Sequence, residues 1–234
     1  MGYCCRVPVF VLRVWLPDRP GALGAVASRI GAVKGDLIGI DILERGGGRA
    51  IDELTVALAD DRLLSLLVEE VSEVDGVDVE DVRPASREPK DAALEALETA
   101  RRLMLSPSPG ELLTVLVDRT RTGFGADWAS VVRTDPDANL QPVSSGQAPP
   151  VQWLSAFVAG SRSADASLQR WHNGPPDVAW AMLEPARAAL VVGRGGQPFR
   201  VRERHQLAAI TDLASVRWSE IRSSGSRRLH PSVC

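Results

Sequence analysis

Residues 9–16, Val-Phe-Val-Leu-Arg-Val-Trp-Leu, alternate so that Phe10, Leu12, Val14 and Leu16 share one face of a strand, with Val9, Val11, Arg13 and Trp15 on the other. Pro17 to Gly21 ends the strand. Leu23, Val26, Ala27, Ile30 and Val33 then recur at helical spacing, and Lys34-Gly35 predicts the stop. A second strand is predicted from Asp36 to Glu44, with Ile38, Ile40 and Ile42 on one face. Gly46-Gly47-Gly48 supplies a hairpin turn, and a third strand spans Ala50 to Ala59 with Leu54, Val56 and Leu58 on its apolar face. Asp60 is placed to cap a helix striped by Leu63, Leu64, Leu67, Val68, Val71 and Val74. Asp75-Gly76 breaks it, and Val77, Val79 and Val82 alternate through a fourth strand. The order is βαββαβ, a split-βαβ unit.

Residues 83–90, polar and with two prolines, predict a domain boundary. A helix is expected from Lys90 to Leu105, and a second one after Ser106–Gly110. Strands follow at Trp128–Arg133 and Leu140–Ser144. A helix is predicted over Val151–Ala159, a polar loop over Ser161–Asp165, and a hairpin of Val178–Glu184 with Arg187–Gly193. A last helix runs from Arg202 to Ile221, ahead of a loose tail, 223–234. The fold class expected for the whole chain is α+β.

The 234 residues suit two domains, and the apolar fraction of 44% supplies a core for each. A net charge of −3 gives no global pull toward nucleic acid or anionic membrane, and Arg222, Arg227 and Arg228 are too few for a nucleic-acid footprint. No run approaches the ~20 apolar residues of a membrane span. Arg13 interrupts the run from Val7 to Leu16, which therefore reads as a strand and not as a signal peptide, and Arg6 spoils the myristoylation pattern that Met1-Gly2 opens. Three cysteines cannot build a disulfide framework, so a reducing, cytoplasmic setting is expected. Adjacent Cys4 and Cys5 form a candidate redox pair, with Cys234 a third thiol. His172, His205 and His230 have no metal-ligand spacing, the remaining carboxylates read as solvated helix faces, and Gly193-Arg194-Gly195-Gly196 reads as a turn. Nothing calls for a cofactor.

The segment with the most chemistry is Asp18-Arg19-Pro20-Gly21-Ala22-Leu23-Gly24, between an apolar strand and an amphipathic helix. Free amides and the positive dipole end at a helix start attract a carboxylate, Gly21 admits close approach, and Asp18 can accept from an ammonium. Acceptor and donors a few ångströms apart suit the zwitterion of an amino acid. With Gly35-Asp36-Leu37-Ile38-Gly39-Ile40 opening the second strand, residues 9–84 resemble the ACT domain, the small-molecule-sensing module of amino-acid metabolism. The resemblance implies a ferredoxin-like fold, a homodimer, and an amino-acid site between two ACT units built from Asp18, Arg19, Pro20, Gly21, Ala22 and Leu23 with Asp36, Leu37 and Ile38. Many members carry Asn where this chain has Asp18 or Asp36.

Arg187-Ala188-Ala189-Leu190-Val191-Val192-Gly193-Arg194, then Gln197-Pro198-Phe199 and Glu203 with the closing helix, resemble the end of a GAF domain over about residues 90–222. Trp153, Trp171 and Trp180 are candidates to line a pocket there or to serve as core. ACT and GAF modules together resemble actinobacterial regulatory proteins. The resemblance implies a non-enzymatic regulator that senses an amino acid and acts in trans on an unidentified protein partner in metabolism or transcription. The alternative is a thiol-responsive regulator with Cys4 and Cys5 as input and ACT used only for pairing. An enzyme is the weakest reading, because no catalytic constellation can be assembled.

Overall fold

The computed structural model describes residues 7–85, 92–164 and 175–228. The chain divides into two compact units, Met1–Asp91 and Ala92–Cys234.

In the first unit the alternating segment forms β1 (Val9–Pro17), followed by α1 (Ala22–Ala32), β2 (Asp36–Gly46) and β3 (Arg49–Ala57). A 3-10 turn, Asp61–Leu63, leads into α2 (Leu64–Ser72), and β4 (Asp78–Pro84) completes the set. The sheet order is β2-β3-β1-β4 with every neighbouring pair antiparallel. This is the ferredoxin-like arrangement that the ACT resemblance implies. Phe10, Leu12, Val14, Leu16, Leu54 and Val56 meet Val26 and Ile30 of α1 and Leu67 and Val71 of α2 in one core, so both helices cover the same sheet face.

Two local signals act as their chemistry requires, and a third does so by a different residue. Gly47 and Gly48 both have positive φ, the condition for a two-residue hairpin loop between Gly46 and Arg49. The Asp60 side chain accepts from the Arg62 amide and caps the 3-10 turn. The stop of α1 differs in detail: Lys34, not Gly35, takes the left-handed conformation (φ +59°), and the Gly35 amide donates to the Ile30 carbonyl at 2.9 Å.

The second unit comprises α3 (Ala92–Leu105), α4 (Pro109–Gly123), β5 (Trp128–Arg133), β6 (Val143–Gly146), α5 (Val151–Ala164), β7 (Val178–Leu183), β8 (Ala188–Gly193) and α6 (Val201–Arg228). Its antiparallel sheet has the order β6-β5-β8-β7. Leu103 of α3, Leu112 and Leu116 of α4, and Leu207, Ala214 and Trp218 of α6 pack on one sheet face with Val131, Leu190 and Val192. Leu154 and Val158 of α5 cover the other face through Val132, Ala189 and Val191. Two expectations are corrected here. The stretch beginning at Ser161 continues α5 to Ala164, because Ser161 is buried against the unit. The closing helix does not stop at Ile221 but runs through Arg228, since no Pro falls within 222–228 and a lone Gly225 in mid-helix costs only about 1 kcal/mol.

Among the described residues no helix is long and apolar enough to cross a membrane.

Candidate functional site

β1 delivers the chain to the Asp18–Gly21 loop, and α1 leaves it. Gly21 holds φ +88° as the N-cap of α1, a left-handed conformation that glycine adopts without a Cβ penalty. It brings no side chain to cap the helix, and the first turn contains no acidic residue. The positive end of α1 therefore meets no carboxylate of its own. A Cβ built on Gly21 or Gly24 would meet nothing within 4 Å, so the space before the helix is open. The Asp18 amide donates to the Gly48 carbonyl at 2.9 Å, which ties the loop to the β2–β3 hairpin and leaves the Asp18 side chain exposed. Arg19, Pro20 and Gly21 are exposed, Leu23 is half-buried, and Ala22 is buried beneath the first turn.

The second group of expected site residues lies elsewhere. Pro17 is opposite Arg49, and Arg49 is opposite Gly46; Val9 is opposite Ala57, and Ala57 is opposite Asp36. The Asp18 loop and the Asp36–Ile38 segment thus occupy opposite ends of the sheet, about 30 Å apart by strand rise. One chain does not bring them together. Asp36 and Ile38 are exposed there, and Leu37 packs partly on the core.

Near the Asp18 end lies a residue that pattern reading treated as one of many solvated carboxylates. Asp52 of β3 stands in register between Val14 of β1 and Ile42 of β2, on the helix-covered face with Ala50 and Leu54. It is 3% exposed, and its Oδ1 has no hydrogen-bond partner among the described residues. Burial pushes its carboxyl above the ordinary aspartate range; Arg45 opposes this, and the Asp18 carboxylate adds to it. A single polar position on the apolar face of the strand, between Ala50 and Leu54, is the signal that could have singled it out.

Two other buried charge groups correct the same expectation, and both are satisfied. On the sheet face away from the helices, Arg13 is fully buried and gives its Nε and Nη2 to Glu53 Oε1 at 3.0 and 2.7 Å. Arg83 Nη2 reaches the same oxygen at 2.7 Å. Burial pushes the Glu53 carboxyl up, but the Arg83 and Arg13 guanidiniums outweigh it and hold it below the ordinary range. In the second unit Gly195-Gly196 form the expected turn, and Arg194 just before them is buried. Its guanidinium donates to the carbonyls of Gln197, Phe124 and Pro198 at 3.1, 2.8 and 2.9 Å and to Glu203 Oε2 at 2.8 Å. The Phe199 ring lies 4.1 Å away. Glu203 also accepts from the Arg200 amide at 2.9 Å and so closes the N-terminus of α6. Such fully bonded clamps hold backbone in place and leave no donor set for a ligand.

Of the tryptophans considered for a pocket, Trp153 is half exposed and stacks on Phe157 at 5.6 Å, and Trp180 packs on the α5-side core. Cys4, Cys5, Cys234, Trp171, His172 and His230 lie outside the described residues.

No protein-family model matches the chain, and no curated protein matches it. Among solved structures, the chain is similar to an ACT domain over a third of its length. That domain, from GTP pyrophosphokinase of Chlorobium tepidum, is 17% identical, with 33% of this chain and 96% of that chain covered and a TM-score of 0.27. The C-terminal domain of the MgtC protein from Mycobacterium tuberculosis is 16% identical over 38% of this chain and 99% of its own, with a TM-score of 0.29. A formyltetrahydrofolate deformylase from Pseudomonas putida KT2440 is 12% identical over 94% and 95% of the two chains, with a TM-score of 0.30. The fold of the first unit stands on its own strand order and register.

Proposed function

We propose that this chain is a non-enzymatic regulatory protein that binds a free amino acid at the Asp18–Gly24 loop of paired ACT-like units and acts on a partner protein. The observation that carries the reading is the N-terminus of α1, which has no capping side chain, opens on free space at Gly21 and follows the loop that carries Asp18. Amides and dipole suit the carboxylate of a zwitterion, and Asp18 suits its ammonium. The second unit, whose helices, inserted helix and closing helix flank an antiparallel sheet, is read as a GAF-like module through which the signal leaves.

The register supports the pairing. β2 is an edge strand and carries Ile38, Ile40 and Ile42 with 36–45% of their surface exposed. A long apolar edge is a template for a further strand. An antiparallel two-fold pairing of β2 with β2 of a second copy sets Asp36 of one chain beside Gly46 of the other, the end that holds the Asp18 loop. The two segments that one chain keeps about 30 Å apart then meet across the seam.

Isothermal titration of the full chain with each of the twenty amino acids tests the reading. Saturable heat with at least one, lost in Asp18→Ala, is expected. No heat with any of them overturns it. Sedimentation tests the pairing: wild type sediments as a dimer and Ile40→Lys as a monomer, whereas a monomeric wild type removes the shared site.

A further inference from the structure

We propose that Asp52 is the buried anchor for the ligand's ammonium group, and that the ligand is an aliphatic α-amino acid whose side chain rests on Ile40 and Ile42. The inference rests on the reading that an amino acid binds at the Asp18 loop.

The neighbours of Asp52 on the same face are the core residues Ala50, Leu54 and Val14, with Ile42 opposite it and Arg45 opposite Ala50. The Arg45 charge lowers the Asp52 carboxyl but forms no hydrogen bond with it among the described residues, so no bonded structural task accounts for the aspartate. A buried acceptor without a partner is destabilising, and an apolar side chain would serve the core better. The contrast with Glu53, one position along and bonded to two arginines, shows that this sheet satisfies a buried carboxylate where the task is structural. Strain of this kind, held by well-packed surroundings, concentrates where a ligand is received.

The placement fits that purpose. Asp52 lies three rungs from the hairpin end at Arg49, on the sheet face that both helices cover. Asp52 and Asp18 lie toward the same end of the sheet, since the Asp18 amide is tied to the Gly48 carbonyl and Asp52 is three rungs from Arg49, and the Asp18 charge adds to the rise of the Asp52 carboxyl. A primary ammonium has three donors and can bond to both. The ligand's own carboxylate then turns to the amides at the start of α1. In register, Asp52 faces Ile42, and Leu54 faces Ile40. Those two isoleucines extend an apolar strip from the Asp52 position along the β2 edge, and no polar side chain shares the strip between them. A short aliphatic side chain matches that surface.

The test uses the full chain with L-valine, L-leucine and L-isoleucine, and with 2-hydroxy-3-methylbutanoate, which has the shape of valine with hydroxyl in place of ammonium. At least one of the three amino acids binds, the hydroxy acid binds at least about 100-fold more weakly, and Asp52→Asn weakens the amino acid by at least about 30-fold. Thermal melting of Asp52→Asn without added amino acid shows an unchanged or raised Tm, which separates loss of binding from loss of fold. If an aliphatic amino acid binds and Asp52→Asn or the hydroxy acid binds equally well, the anchor is overturned while the amino-acid site stands. If only polar amino acids bind, the aliphatic assignment falls. If none of the twenty binds, the site itself falls, and this inference with it.

Discussion

The two units each bury a charge, and they treat it in opposite ways. In the second unit Arg194 is matched by three carbonyls, a carboxylate and an aromatic face, and Glu203 passes the connection on to the start of α6. In the first unit Asp52 is as deeply buried, and one of its oxygens has no partner among the described residues. Desolvation acts on both groups. Only Arg194 is matched by hydrogen bonds inside the chain, whereas Asp52 has the Arg45 charge to oppose its burial and one oxygen unbonded among the described residues; on the proposal above, that oxygen is where a ligand is received.

The strongest way to break this comparison is Arg194→Met. It strands Glu203 and three carbonyls, and a loss of about 3–5 kcal/mol in urea unfolding of the second unit is expected, the scale for removing one partner of a buried pair. A loss near zero would mean that the clamp contributes no more than its packing. Glu53→Gln probes the satisfied network of the first unit. The folded-state carboxyl is held below the unfolded range, so its stabilisation is present above that range and is lost as pH falls through the lower folded value. The variant is expected to be about 2–3 kcal/mol less stable at pH 7. It converges with wild type in acid.

Asp52→Asn should behave in the reverse sense. Its folded-state carboxyl is raised, so the native chain holds a proton that the unfolded chain releases, and wild type loses stability as pH rises through that interval. The variant is expected to be about 1 kcal/mol more stable at pH 8 and equal to wild type at pH 3. Urea titrations at the two pH values check it, and a variant less stable at pH 8 would remove the contrast with Arg194. Gly21→Ala has the smallest expected effect. Nothing stands in the way of the added methyl, so the cost is the left-handed backbone alone, about 1 kcal/mol, read as a lowered Tm.

Much of this molecule is written in local patterns. Period-2 alternation in 9–16, the apolar stripes of 23–33 and 63–74, and the glycines of the hairpin fix strand, helix and turn through side-chain spacing and backbone sterics, both of which act within a few residues. The loop before α1 is equally legible, because the absence of a capping side chain and the presence of Gly21 are local facts. Edge and centre are not. Ile38, Ile40 and Ile42 spell the same alternation as Leu12 and Val14, yet β2 lies at the sheet edge and β1 inside it, and only the order of strands decides which is covered.

Buried charge is illegible for the same reason. Arg13, Asp52, Glu53, Arg194 and Glu203 look like ordinary polar positions in a sequence, because the groups that bury and bond them lie up to 70 residues away. By itself the sequence determined the elements and the chemistry of the Asp18 loop. Tertiary structure alone decided that Asp36 stands at the far end of the sheet, that Arg194 is satisfied, and that Asp52 is buried on the helix-covered face with one oxygen unbonded among the described residues. Registers and desolvation depend on which distant segments come together, and no local spacing encodes that.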